Sequence, residues 1–146
     1  MDFFQVSGKL RAPYIYIIFI DEYVYIGETQ GFPVIRWSAH LGQDGTLVKK
    51  LTDLNFSIHG DTQINFLAFN LSDYFDVDLL KNLKRSTQAV EDELHVRLAC
   101  TPSVINHSII ISNTEKTAPS RFRHWSKVNL IVDCIIESLK LRKKEA

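Results

Sequence analysis

Tyr14-Ile15-Tyr16-Ile17-Ile18-Phe19-Ile20-Asp21-Glu22-Tyr23-Val24-Tyr25-Ile26-Gly27 is the stretch that decides the fold. From Tyr14 to Ile20, entered after Pro13, β-branched and aromatic residues run without a breaker and read as a central strand. Asp21-Glu22 separates it from a second strand, Tyr23 to Gly27. With those two residues as the turn of an antiparallel pair, Ile20 faces Tyr23, Ile18 faces Tyr25 and Tyr16 faces Gly27, all on one side of the sheet. A turn one residue longer or shorter would send each of these side chains to the other side.

Outward from the hairpin, Gly31-Phe32-Pro33 opens a helix with Pro33 at its first position. Arg36 and His40 lie four apart on it and share a face. Residues 42–60 are polar and read as an insertion with one small helix, carried by Leu47, Leu51 and Leu54. Gln63 to Phe69 is a third strand. Asp73 and Ser86 read as N-caps of a short helix and of a longer one, roughly Thr87 to Ala99. On the longer helix Glu91, Leu94 and Leu98 follow one face, which puts a carboxylate in line with a core-facing stripe, where burial is costly unless something satisfies it. Pro102 ends that helix, and Asn106 leads to a strand-like Ile109-Ile110-Ile111. After a loop over 113–120, Ser126 caps a final helix with Val128, Ile131, Val132, Ile135 and Leu139 on one face, broadened by Leu130, Cys134 and Leu141.

The expected architecture is a single α/β (α+β) domain over 1–146: a small, three-stranded, mainly antiparallel sheet flanked by helices, with a motif-bearing core over 14–106 and a C-terminal extension over 107–146 carrying an extra helix. At 146 residues, 45% hydrophobic and 23% charged, the chain has the composition of a protein that buries a real core. No apolar run reaches the ~20 residues of a membrane span. The opening Met-Asp-Phe-Phe-Gln-Val-Ser has neither the basic start nor the apolar stretch of a signal peptide, so a cytoplasmic location is expected. Cys100 and Cys134 form no metal or disulfide pattern and read as buried free thiols. The net charge of zero argues mildly against a nucleic-acid binder but leaves room for a local basic site.

Taken in order, Tyr14-Ile15-Tyr16, Tyr25-Ile26-Gly27, Arg36 and His40 on the next helix, Glu91 on a later one, and Pro102 with Asn106 resemble the motifs of the GIY-YIG nuclease family. The likeness spans about Tyr14 to Asn106, with one departure: Tyr14 stands where the name-giving glycine would be. It implies an endonuclease that hydrolyses DNA phosphodiester bonds with Mg²⁺, Mn²⁺ being the alternative ion. It also implies Tyr16 as general base, Arg36 and His40 on the phosphate, Glu91 as metal ligand, and Asn106 as structural support through backbone hydrogen bonds.

Elementary chemistry gives each part a reason. One carboxylate can hold Mg²⁺ while waters and the phosphate fill the remaining positions. Glu91 is preferred over nearby Glu93 on helical phase, with Glu93 kept as its rival. A tyrosine, with a pKa of about 10, must be lowered to act as a base at neutral pH. Bare Gly27 opposite Tyr16 would leave room for the scissile phosphate. Tyr25 suits a water or phosphate contact and equally a packing role. Arg36 has the planar fork that phosphate takes, and His40 suits a phosphate hydrogen bond or proton transfer. Arg121-Phe122-Arg123-His124-Trp125 mixes cations and aromatics, so Arg121 and Arg123 are candidate DNA contacts; the plainer reading has Phe122 and Trp125 in the core and the arginines in water. His59, His95 and His107 fit no metal-ligand spacing. The last helix is a candidate homodimer interface. Two other readings stand beside the nuclease: a nucleic-acid-binding module of the same fold that does not cut, and an unrelated α+β interaction domain.

Overall fold

The computed structural model describes residues 1–145. Its sheet has four strands in the order β3-β1-β2-β4, built from β1 (Arg11–Ile20), β2 (Tyr23–Gly31), β3 (Ile64–Asn70) and β4 (Ile109–Ile110). β1 is central and antiparallel to both β2 and β3. The β1–β2 register is the expected one, with Tyr16 opposite Gly27, Ile18 opposite Tyr25 and Ile20 opposite Tyr23. Asp21 takes the positive φ of 51° in the turn between them, a conformation that aspartate tolerates better than most residues.

The expectation of three antiparallel strands is corrected by β4, which runs parallel to β2 and makes the sheet mixed. The strand itself falls where Ile109-Ile110-Ile111 reads as strand-like; its pairing with β2 is what the expectation lacked. Its two residues are held by Ile109 N donating to Glu22 O (2.7 Å), and the following Ile111 N donates to Val24 O (2.9 Å).

Alternation along β1 divides the core in two. Tyr16, Ile18 and Ile20 face the layer formed by α1 (Pro33–Leu41) and α2 (Thr46–Asp53), packing on Leu47, Leu51 and Trp37. The polar insertion therefore closes one face of the sheet, with only Leu54 of its three leucines left exposed. Ile15 and Ile17, with Val24 and Ile26 of β2, face the second layer, formed by α4 (Leu83–Cys100) and α5 (Trp125–Glu145). Each such buried aliphatic side chain contributes about 1.5–3 kcal/mol.

Several expected boundaries move. The short α3 (Val77–Leu80) is capped by Asp76, while Asp73 lies in a 3-10 turn over Ser72–Tyr74. α4 begins at Leu83 under an Asn82 cap, and Ser86 is buried inside it, donating to Leu79 O at 2.7 Å. Cys100 and Cys134 are exposed rather than buried, as are Leu130 and Leu141. The buried stripe of α5 is Val128, Ile131, Val132, Ile135, Ile136 and Leu139, and the chain's own core covers it. A homodimer through this helix would have only the outer face with Leu130 and Leu141 to use. No helix among the described residues is long and apolar enough to cross a membrane.

Candidate active site

Tyr16 sits at the middle of β1, opposite Gly27. A Cβ built at Gly27 would stand 2.3 Å from both Cζ and Oη of Tyr16. The bare glycine therefore makes room for the Tyr16 ring itself, where an opening for a phosphate was expected. The ring is fully buried, and its hydroxyl meets Nε2 of His40 at 2.8 Å.

Pro33 starts α1 so that Arg36 and His40, one turn apart, both project toward the hairpin. His40 is buried, its ring centroid 4.5 Å from that of Tyr25 and 5.7 Å from that of Tyr16. The Arg36 guanidinium lies against the Tyr16 hydroxyl, a contact that raises its own pKa.

Burial controls the titration of this group. It pushes Tyr16 up to about 12, against the pull of Arg36. It raises Tyr25, with the Glu91 charge adding to the rise. It lowers His40 to about 4, with the Arg36 charge adding to the fall. At neutral pH the two tyrosines and the histidine are uncharged and Arg36 is the cation among them.

Glu91 enters from the other layer. β4 pairs no further along β2 than Val24, and beyond it the β2 edge is met by Ser112 rather than by a strand. Burial, followed by the charges of Glu28 and Asp92, raises Glu91 to about 8, while Arg36 pulls the other way. Glu28, the residue after the second motif, is likewise raised by burial and takes a 2.5 Å hydrogen bond from Gln30. Glu93 is committed elsewhere, to Arg97 (3.0 Å), which also holds Asp133 of α5 (2.8 Å).

A relay behind Glu91 escaped the sequence reading. Ile26 N donates to Ser112 Oγ (3.0 Å), Ser112 Oγ meets His95 Nε2 (2.6 Å), and His95 Nδ1 meets the Glu91 carbonyl (3.0 Å). A carbonyl only accepts, so Nδ1 carries the proton and Nε2 accepts from Ser112. Burial keeps this imidazole neutral, lowering its pKa. The turn of α4 that carries Glu91 is thereby tied to β2. Ser112 lies 86 residues from Ile26 in sequence, and no local signal links the two.

The remaining candidates lie apart from this cluster. Asn106 is exposed, caps the 3-10 turn Pro102–Ile105 with a left-handed φ of 54°, and its backbone N–H bonds within that turn. Arg121 and Arg123 are exposed on the loop before α5 and line a separate cavity with the first turns of α3 and α4. Tyr14, the departure from the motif, uses its hydroxyl to clamp Lys9, accepting from its N and donating to its O, each at 2.8 Å.

Among the described residues no three His, Cys, Asp or Glu side chains converge as a metal-holding group. Glu91 instead offers one carboxylate, 15% exposed, to which no described group donates a hydrogen bond. That donor set fits a hard divalent cation carrying most of its own waters. Comparison of the chain with family models, curated proteins and solved structures gave no match.

Proposed function

We propose that this chain is a GIY-YIG-type endonuclease that hydrolyses DNA phosphodiester bonds with Mg²⁺. The observation that carries this reading is the convergence of Tyr16, Tyr25, Arg36, His40 and Glu91, from two strands and two helices, on one electrostatically coupled site.

A bound phosphodiester would pair with Arg36, whose fork suits its oxygens. Burial is the main cause of the low His40 pKa, and that pairing masks the Arg36 charge that adds to it, so substrate binding relieves part of the lowering. The Tyr16 hydroxyl donates to His40 Nε2 and presents its oxygen lone pair to the attacking water. As the water oxygen bonds to phosphorus, its proton passes to Tyr16 Oη, the Tyr16 proton passes to His40, and the P–O bond to the leaving oxygen breaks. No free phenolate has to form, which answers the high pKa of Tyr16. Tyr25 lines the same face and orients the water or a phosphoryl oxygen. Glu91 would hold Mg²⁺, which when bound supplies charge neutralisation at the phosphoryl and leaving oxygens.

The test is cleavage of supercoiled, branched and single-stranded DNA at low salt with Mg²⁺ or EDTA, with Glu91→Ala and Tyr16→Phe alongside. Metal-dependent cutting lost by at least about 10²-fold in both variants supports the reading. Binding without cutting, by a folded wild-type chain, refutes catalysis and leaves a recognition module.

A further inference from the structure

Outside the catalytic cluster the chain gathers a second set of basic side chains. Lys81, Arg85, Arg121, Arg123 and His124 line a cavity of about 330 Å³ where the start of α4 meets the loop before α5. Among the described residues Arg85, Arg121 and Arg123 have no acidic partner, and Lys81 reaches only a long, exposed contact of 3.9 Å with Asp78. Asp78 also lines the cavity, but Lys127 holds it at 2.7 Å and holds Asp76 as well, so Lys81 and the three arginines face one neutralised acid. On a chain of zero net charge, unpaired arginines held around one concavity form a local positive field.

The loop that brings them there is built. Buried Asp92, next to Glu91 on α4, accepts from Thr117 N, Thr117 Oγ1 and Ala118 N at 2.9–3.2 Å. Phe122 packs into the core against Trp125, their rings 5.1 Å apart and edge to face. With Phe122 turned inward, Arg121 and Arg123 on either side remain exposed. Lys84, one residue before Arg85, is close enough to act on Glu28 of the catalytic cluster.

Resting on the nuclease reading for its substrate, we propose that the cavity of Lys81, Arg85, Arg121, Arg123 and His124 binds the backbone phosphates of duplex DNA flanking the cut, and so supplies sequence-independent affinity where the start of α4 meets the C-terminal extension.

Binding of a labelled DNA duplex, measured by fluorescence anisotropy in EDTA across a salt series, tests this. The variants are Arg121→Gln/Arg123→Gln and, separately, Arg85→Gln. The control is Lys49→Gln/Lys144→Gln, the latter residue about 30 Å away along α5. Loss of two phosphate contacts should weaken binding at least about tenfold and flatten the log–log salt slope by about 2, with the control unchanged. Unchanged affinity and slope in a chain that still cuts DNA overturn the cavity and leave the nuclease standing. Cavity-dependent binding by a chain that never cuts upholds the cavity and refutes the nuclease. No wild-type affinity at low salt, or tighter cavity-dependent binding to an RNA duplex, overturns the assignment to DNA.

Discussion

The ring of Tyr16 occupies the space that a side chain at Gly27 would need, since a Cβ there would lie 2.3 Å from the phenolic oxygen. The central strand and its neighbour thus share one volume, and only glycine opposite the tyrosine allows it. Gly27→Ala must push the ring aside or bend β2, an overpacking cost of about 1–3 kcal/mol. The displaced hydroxyl also loses its 2.8 Å contact with His40. A lower denaturation midpoint together with loss of cleavage is expected; an unchanged midpoint would refute the packing account.

In the proposed mechanism Tyr16 and His40, in contact at 2.8 Å, form one proton path, so their removal should not be additive. Tyr16→Phe and His40→Ala should each cost about 10²–10⁴-fold in cleavage rate, and the double variant little more than the worse single. Separate roles would instead multiply the two losses. Single-turnover rates on one DNA substrate, with folding checked by circular dichroism, decide between these outcomes.

Glu91 should destabilise the fold it serves. Its folded pKa of about 8 exceeds the ordinary 4.5. Between those values the folded chain keeps a proton that the unfolded chain has released, so stability falls as pH rises across that window and levels off above it. Glu91→Gln removes the penalty. It should be about 2 kcal/mol more stable than wild type at pH 8, allowing roughly half of the ~1.4 kcal/mol per unit for solvent access, and near parity at pH 4.5. Urea melts at the two pH values measure this, and a wild type equal to the variant at pH 8 would sink it. Mg²⁺ should raise the melting temperature of wild type at pH 8 and leave that of Glu91→Gln unmoved.

Trp37 stacks on Phe66 with ring centroids 4.6 Å apart, yet its indole N–H is buried without a partner. Such a donor carries a desolvation cost of about 1–3 kcal/mol. Trp37→Phe keeps an aromatic stack and removes the donor, so stability should hold or rise, against the several kcal/mol that loss of a large buried side chain usually costs. A marked drop in melting temperature would show that indole volume outweighs the unmet hydrogen bond.

How far the sequence could be read depended on the range of each interaction. The hairpin register follows from a two-residue turn between β-rich runs, and the pairing of Arg36 with His40 from helical spacing; both are local. The helical phase of Glu91 against Glu93 is local as well. The strand character of Ile109 and Ile110 is local too, but their parallel pairing with β2 is not: it depends on an edge far away in sequence. Ser86 looks like a cap, yet its hydroxyl turns back to Leu79 and Asn82 takes the capping role. Glu28 follows a recognised motif directly, but strand alternation places it opposite Ile15 on the α4 face of the sheet, away from Tyr25 and toward Glu91. Asp92 and Ser112 find their partners across the fold, where no spacing rule reaches.

The Ser112–His95 relay makes the last prediction. Ser112 Oγ serves two buried partners, taking the Ile26 N–H and donating to His95 Nε2. Ser112→Ala leaves both unsatisfied and should cost about 2–4 kcal/mol, twice the lower range for one orphaned buried group. His95 should titrate below the ordinary 6.5, because its folded pKa is depressed by burial. The relay's contribution is therefore present above about pH 6.5 and lost as pH falls through the folded value, where protonation of Nε2 abolishes its acceptor. Ring ¹⁵N shifts at neutral pH should report Nδ1 protonated and Nε2 bare. The reverse tautomer would break the chain from β2 to Glu91, because Nδ1 would then have no proton to give the Glu91 carbonyl.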